Sequence, residues 1–416
     1  MRQSVAWLGL GLCVSMAACR APLRLPEGTS DVAGPSADSG PSRPRDSEAP
    51  AVGPLTWVAV PASDARLQYT GRMYGSGSGV IFSHPGVTIR ARFWGDAARI
   101  RLNDSSLGGE AMTNYFDVRI DGGPPVLLAA RSGVATYALA TGLEAGLHTV
   151  EILKRTETSV GQSEFLGLEV HGELREPPPR PGLRMEVVGD SITCGYGSEV
   201  SLLPDSPSWR APTFTSKNEN PTRSYAWLTA RNLGAELVTV CYSGHGVYRN
   251  LDMSTSDLIP AIYELAVPGQ PVAWDFSRYS PDVIVINAGT NDAFAGSGTA
   301  EFLPDESAFK TAYRKFLARL RALHPRAHIV CTLGSMTDGY KRLEQKGAVS
   351  SVHVGEWITE LVAERNRAGD EGVYRHVMAV QNPEADGVGE DWHPSATTHQ
   401  KMAAALTRFL QETVLR

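Results

Sequence analysis

The chain has 416 residues, a formal net charge of −6 and 20% charged residues. That length exceeds one core of ordinary size and suits two domains plus extensions, with the balanced composition of a globular protein. No run of lysine and arginine is long enough to form a nucleic-acid binding stripe, so no nucleic-acid partner is expected.

At the N-terminus Arg2 precedes an apolar stretch over 5–14, too short to span a bilayer. Ser15-Met16-Ala17-Ala18-Cys19 follows. Residues 1–19 are expected to be a secretory leader. The segment resembles a bacterial lipobox, in which the cysteine after small residues is lipidated, and this makes Cys19 the candidate for lipidation. The other reading is a plain signal peptide cut near Ala18. Both export the mature protein, as a membrane-anchored lipoprotein or as a periplasmic or secreted chain. Residues 20–54 are rich in Pro, Gly, Ser, Ala and Asp, and cannot bury enough surface to offset chain entropy. They are expected to form a disordered tether.

From 55 to 174 short apolar or alternating runs recur, at 80–82, 87–94, 99–102, 116–120, 126–129, 149–153 and 166–170, separated by turn residues such as Asp121-Gly122-Gly123. Many short strands with regular turn signals predict an all-β sandwich or jelly roll. Residues 175–182, with Pro177-Pro178-Pro179, form a stiff connector. From 183 onward strand and helix alternate. Strands are expected at 185–188, 237–241, 283–287, 329–333 and 374–380. Helices are expected at 225–233, at 309–323 before Pro325, at 357–362 and at 402–410. Such alternation implies a parallel sheet covered on both faces, with sites beyond the C-terminal ends of its strands.

Five cysteines are present, of which Cys13 and Cys19 lie in the leader. Cys194, Cys241 and Cys331 remain, an odd number without zinc-binding spacing, and all three are expected to be small packing residues. No metal site is expected.

Four motifs fall where the strand-end rule places them. Gly189-Asp190-Ser191-Ile192-Thr193 follows the first strand and sets Ser191 at the start of the next element, as a helix cap or as a nucleophile near helical amides. Cys241-Tyr242-Ser243-Gly244-His245-Gly246 follows the next strand, and its glycines allow close backbone approach. Asn287-Ala288-Gly289-Thr290-Asn291-Asp292 offers the Asn291 side chain to an oxyanion, or forms an Asx-turn. Asp391-Trp392-His393-Pro394-Ser395 places a proline-fixed histidine before the last helix.

In this order the motifs resemble the sequence blocks of the SGNH (GDSL-type) hydrolases, from 183 to the C-terminus. The resemblance implies a flavodoxin-like α/β/α domain with Ser191 as nucleophile and His393 as base. It also implies an oxyanion hole made of the Ser191 amide, the Gly244 amide and the Asn291 side chain. Many members carry an Asp three residues before the His, where this chain has Glu390; Asp391 stands two before. In that departure, and in the β domain ahead of the hydrolase, the chain resembles carbohydrate esterase family 2, whose histidine can be oriented by a backbone carbonyl. Asp391 is therefore a candidate orienting residue through its carboxylate or its backbone.

The resemblance implies a cofactor-independent deacetylase of plant polysaccharides such as xylan or glucomannan, with a preference for 6-O-acetyl groups. Trp392, Tyr242, Tyr248 and Trp209 are the aromatic candidates for sugar contact. Two rival readings are a lipase- or thioesterase-type SGNH esterase, and an inert carbohydrate-binding lipoprotein.

Overall fold

A computed structural model describes residues 54–109, 111–205, 213–294, 303–336 and 351–416. The expected leader with Cys19, residues 20–53 and Trp209 lie outside the described residues.

The first part is an antiparallel β structure. It comprises β1 (Trp57–Pro61), β2 (Gln68–Thr70), β3 (Tyr74–Gly75), β4 (Val80–Phe82), β5 (Thr88–Asp104), β6 (Tyr115–Ile120), β7 (Val126–Ala129), β8 (Gly133–Ala140), β9 (Gly146–Lys154) and β10 (Ser163–Arg175). The runs expected at 87–94 and 99–102 are one strand, β5. Its N-terminal half pairs with β9, its C-terminal half with β8, and β10 runs along its other edge. The inside–outside alternation slips at Ala97 and Ala98, both buried, where the ladder changes register. The sheet therefore changes partners along one continuous strand and wraps a core of Phe82, Phe93, Ile100, Phe116, Phe165 and Val170.

The second part is a parallel sheet of β11 (Arg184–Gly189), β12 (Glu236–Cys241), β13 (Val283–Asn287), β14 (His328–Thr332) and β15 (Val373–Arg375), ordered β12-β11-β13-β14-β15. This is the flavodoxin-type order, and the winding reverses between β11 and β13. Along β13, Val283 and Val285 face one core, with Tyr225 and Ala226 of α2 (Tyr225–Leu233); α1 (Ser191–Cys194) precedes that helix. Ile284 and Ile286 face the other core, with Phe309 and Phe316. Short α3 (Ile259–Ile262) precedes α4 (Glu306–Leu323), which shares that second face with α5 (Ser351–Arg367); short α6 (Pro383–Asp386) leads to α7 (Ala396–Phe409), which joins the first face. The strand expected at 374–380 is shorter, because pairing with β14 ends at Arg375.

A buried ion pair links the two parts. Arg72, fully buried between β2 and β3, donates to Glu186 of β11 at 2.9 Å. Its guanidinium lies over the Tyr263 ring at 4.3 Å, and the Tyr263 hydroxyl donates to the same carboxylate at 2.6 Å.

Candidate active site

Gly189 ends β11 opposite Asn287 of β13, at the reversal of winding. A Cβ at Gly189 would lie 2.7 Å from the Asn287 carbonyl, so only glycine permits this approach. Asp190 then caps α1, accepting from the Ile192 amide at 3.0 Å, and Ser191 occupies the first helical position. Its amide is one of the N–H groups that a helix leaves without an internal partner.

His393 enters from the turn before α7. Its Nε2 lies 2.7 Å from Ser191 Oγ, a nucleophile–base contact spanning 202 residues of sequence. Its Nδ1 lies 3.1 Å from the backbone carbonyl of Glu390. Burial holds the imidazole down at about 4, with the Glu390 carbonyl and the Asp391 charge opposing it, although the ring borders the cleft. A ring kept neutral at ordinary pH is able to accept a proton.

The Asp391 carboxylate is engaged away from the imidazole. The residue adopts φ 45° and ψ 40°, a left-handed conformation that swings its exposed carboxylate toward Tyr196, whose hydroxyl donates to it at 2.6 Å. The carbonyl 3.1 Å from Nδ1 belongs to Glu390, and the Asp391 backbone and charge act on the same ring beside it. The Glu390 side chain is itself buried and accepts from the Thr215 amide and hydroxyl, both at 2.8 Å, and from Asn218 Nδ2 at 2.7 Å. Trp392 is also left-handed, at φ 64°, and Gln381 donates to its carbonyl at 3.0 Å. Two successive non-glycine residues in this region cost about 1–2 kcal/mol each, so the surrounding bonds must hold the turn.

The remaining wall comes from the other strand ends. Gly244, at φ 80°, and Asn291 line the same cleft as Ser191 and His393. Asn291 Nδ2 donates to the His245 carbonyl at 2.8 Å, and an amide nitrogen carries a second N–H. Asp292 accepts from the Val247 and Tyr248 amides at 2.9 and 2.8 Å and fixes the loop after β12. Burial pushes this carboxyl up to about 6 and the Asp190 carboxyl up to about 7. The cleft encloses about 580 Å³, and Trp392, 41% exposed, stands at its border with Leu251 and Met336.

Two aromatic candidates stand away from the lining of the cleft. Tyr248 packs edge-on against Phe309 and accepts from the Asp305 amide at 2.9 Å, and Tyr242 stacks on His245 at 4.2 Å. Both rings are half-buried against the core and neither is among the described residues lining the cleft. Tyr196, not singled out as a site residue from the sequence, does line it; its only sequence signal is the glycine on either side. The cysteine assignment changes. Cys194 and Cys241 form a disulfide, joining α1 to the end of β12, while Cys331 is a buried free thiol. The partners are 47 residues apart, a distance that no local pattern reveals.

A flavodoxin-ordered sheet with a serine and a histidine paired at its switch point defines an α/β hydrolase of the serine type. The carbohydrate esterase 2 N-terminal family model matches residues 69–179, and the GDSL-like lipase/acylhydrolase model matches residues 187–401. The chain is 30% identical over 358 residues to an acetylxylan esterase / glucomannan deacetylase of Cellvibrio japonicus, covering 85% of this chain and 90% of that protein. It is 37% identical over 343 residues to cellulase/esterase CelE of Acetivibrio thermocellus, covering 82% of this chain but spanning only 39% of that relative's length. A family two carbohydrate esterase from Clostridium thermocellum, solved in complex with cellohexaose, superposes with a TM-score of 0.73 at 34% identity, covering 83% of this chain and 98% of that one. The chain belongs to carbohydrate esterase family 2, a family of ester hydrolases.

Proposed function

We propose that this protein removes O-acetyl groups from plant-type polysaccharides such as xylan or glucomannan, with preference for the 6-O position, through Ser191 and an acyl-enzyme. The observation that carries the reading is the 2.7 Å contact of Ser191 Oγ with His393 Nε2 on a cleft shared with Gly244 and Asn291. The relatives named for acetylxylan and glucomannan supply the substrate class.

Ser191 Oγ attacks the acetyl carbonyl as its proton passes to His393 Nε2. The carbonyl oxygen becomes an oxyanion that the Ser191 and Gly244 amides and the Asn291 side chain stabilise; losing one such donor costs about 3 kcal/mol, roughly a hundred- to a thousandfold in rate. The proton then moves from His393 to the departing sugar hydroxyl. Water repeats the sequence on the acetyl-enzyme, with His393 as its base, and releases acetate. Ser191 and His393 act as a dyad, with the imidazole oriented by the Glu390 carbonyl, and no cofactor takes part. Trp392 presents a flat apolar face suited to a sugar ring.

The same reading places the protein outside the cytoplasm, held by a lipid on Cys19 and a tether. Palmitate labelling of the wild type and of Cys19→Ala tests the anchor, and equal labelling of both would sink it.

The activity is tested by acetate release from acetylated glucomannan, acetylated xylan and a short-chain aryl acetate, by the wild type and by Ser191→Ala. Release from the polysaccharides, lost in the variant, is the expected result. Activity on the aryl ester alone would remove the polysaccharide assignment, and an active Ser191→Ala would remove the nucleophile.

A further inference from the structure

The segment 155–162 between β9 and β10 belongs to the β structure but inserts its first residues beside the catalytic serine's own helix. Arg155 is clamped by the Glu219 and Lys217 carbonyls at 3.1 and 2.8 Å and by the Glu199 carboxylate at 2.8 Å. The next residue but one, Glu157, is 1% exposed. Its amide donates to Glu219 Oε2 at 3.1 Å, and its own Oε2 accepts from the Ser243 amide at 2.8 Å. The Cys194 sulfur lies 3.9 Å from the same oxygen. Being committed to the disulfide, it offers no thiolate for a metal. Burial pushes the Glu157 carboxyl up, and the buried Glu219 beside it is pushed up further by its own burial and by Glu157.

A buried carboxyl is costly to keep in a fold unless its contact matters. Its partners are the Ser243 and Ser159 side chains and, immediately before Gly244, the Ser243 backbone N–H. The Ser243 N–H is held by Glu157, and the Gly244 carbonyl is held by the Leu251 amide at 2.8 Å. The peptide plane between them carries the Gly244 N–H, so both planes flanking that donor are fixed. Asn291 holds the next carbonyl, that of His245. Gly244 itself, at φ 80°, has the conformational freedom to rotate this plane if either clamp is released.

We propose that Glu157 is a positioning residue of the catalytic centre, supplied by the β domain, which aims the Gly244 amide at the oxyanion through its bond to Ser243. The proposal rests on the assignment of Gly244 and Asn291 to the oxyanion hole. In this reading the β domain completes the active site rather than only covering it.

The test uses the full mature chain and an aryl acetate, with kcat and KM measured for Glu157→Gln, Glu157→Asp, Glu157→Ala and Asn291→Ala. Glu157→Gln keeps an oxygen that can accept from Ser243 and is expected to lose less than about threefold in kcat. Glu157→Asp keeps the acid but withdraws it by a methylene. It is expected to lose roughly ten- to a hundredfold in kcat, as a donor displaced by an ångström does, with KM within about twofold. Glu157→Ala should match Glu157→Asp; if it does not fold, the Gln–Asp contrast carries the decision. Wild-type kcat in Glu157→Asp overturns the proposal, and so does an equal loss in Glu157→Gln and Glu157→Asp, which would assign the effect to charge or packing. A normal Asn291→Ala enzyme would instead overturn the oxyanion assignment beneath it, while a slow Asn291→Ala enzyme beside a normal Glu157→Asp enzyme would leave that assignment standing and remove only Glu157.

Discussion

The Tyr196 ring lies flat on the His393 imidazole, 4.2 Å between centres and 28° between planes, while its hydroxyl donates to Asp391. Phe214 stacks on the far side of Tyr196 at 4.5 Å. The catalytic imidazole is therefore braced through its face by an aromatic stack and through Nδ1 by a backbone carbonyl. The Asp391 carboxylate holds the hydroxyl end of that brace, and its charge also favours the protonated ring.

In the dyad proposed above, Asp391 is not a triad carboxylate. Asp391→Asn is expected to lower kcat by less than about tenfold, whereas removing the orienting carboxylate of a true triad costs about 10⁴-fold. Steady-state kinetics beside His393→Ala decide it; equal losses in the two variants would restore the carboxylate to the catalytic set.

The stack makes its own prediction. An aromatic pair of this kind contributes about 0.5–1.5 kcal/mol beyond its buried area. Tyr196→Ala should cost up to about tenfold in kcat, and Tyr196→Phe, which keeps the ring, much less. A Tyr196→Phe enzyme as slow as Tyr196→Ala would show that the hydroxyl, not the ring, supports the base.

The partly buried, desolvated imidazole sets the acid limit of the proposed reaction. A protonated His393 cannot accept the serine proton, so kcat/KM should stay high on acidification and fall only as pH drops through about 4, where the folded protein holds this group. An ordinary histidine would lose activity near 6.5. A pH profile of kcat/KM with its acid limb near 6.5 would refute the burial argument.

The disulfide between Cys194 and Cys241 ties the nucleophile's helix to the strand that feeds the Gly244 loop. Closing a loop of this length stabilises the fold by about 4 kcal/mol in the chain-entropy picture. The double variant Cys194→Ala, Cys241→Ala should show a clearly lower urea midpoint than the oxidised wild type. Equal midpoints would mean that the native packing already fixes both ends.

Breaking the Arg72–Glu186 pair should be costly. Arg72→Ala leaves a buried carboxylate uncompensated, which typically destabilises by about 3–5 kcal/mol. Replacing both partners, as in Arg72→Met with Glu186→Met, should recover part of that loss. Urea melts of the single and double variants measure it, and a single variant as stable as the wild type would sink the argument.

The α/β fold was readable because fully buried strands leave continuous apolar runs, as in Val283–Asn287, where every residue is buried. β8 escaped because its side chains are at best half-buried and mostly alanine, valine and threonine, although Ser132-Gly133 marks a turn before them. β5 was divided because Gly95 and Asp96 interrupt its alternation, although pairing to β10 carries the strand through. At the site, Ser191, Gly244, Asn291 and His393 each sit in a local motif at a strand end or helix start. Tyr196, Glu157 and the Cys194–Cys241 bond carry no such local mark. Their meaning lies in contacts across the chain, such as the 86 residues between Glu157 and Ser243, and these exist only once both domains have packed.

The burial of Arg72 against β11 also bears on how such a chain is inherited. A recombination event that moved residues 183–416 alone into another gene would export a central strand bearing a carboxylate whose cation had stayed behind. One that moved the β structure alone would strand the guanidinium. The segment able to travel between proteins is the pair, and shuffling within this lineage is expected to respect the seam outside it rather than the proline-rich connector inside it.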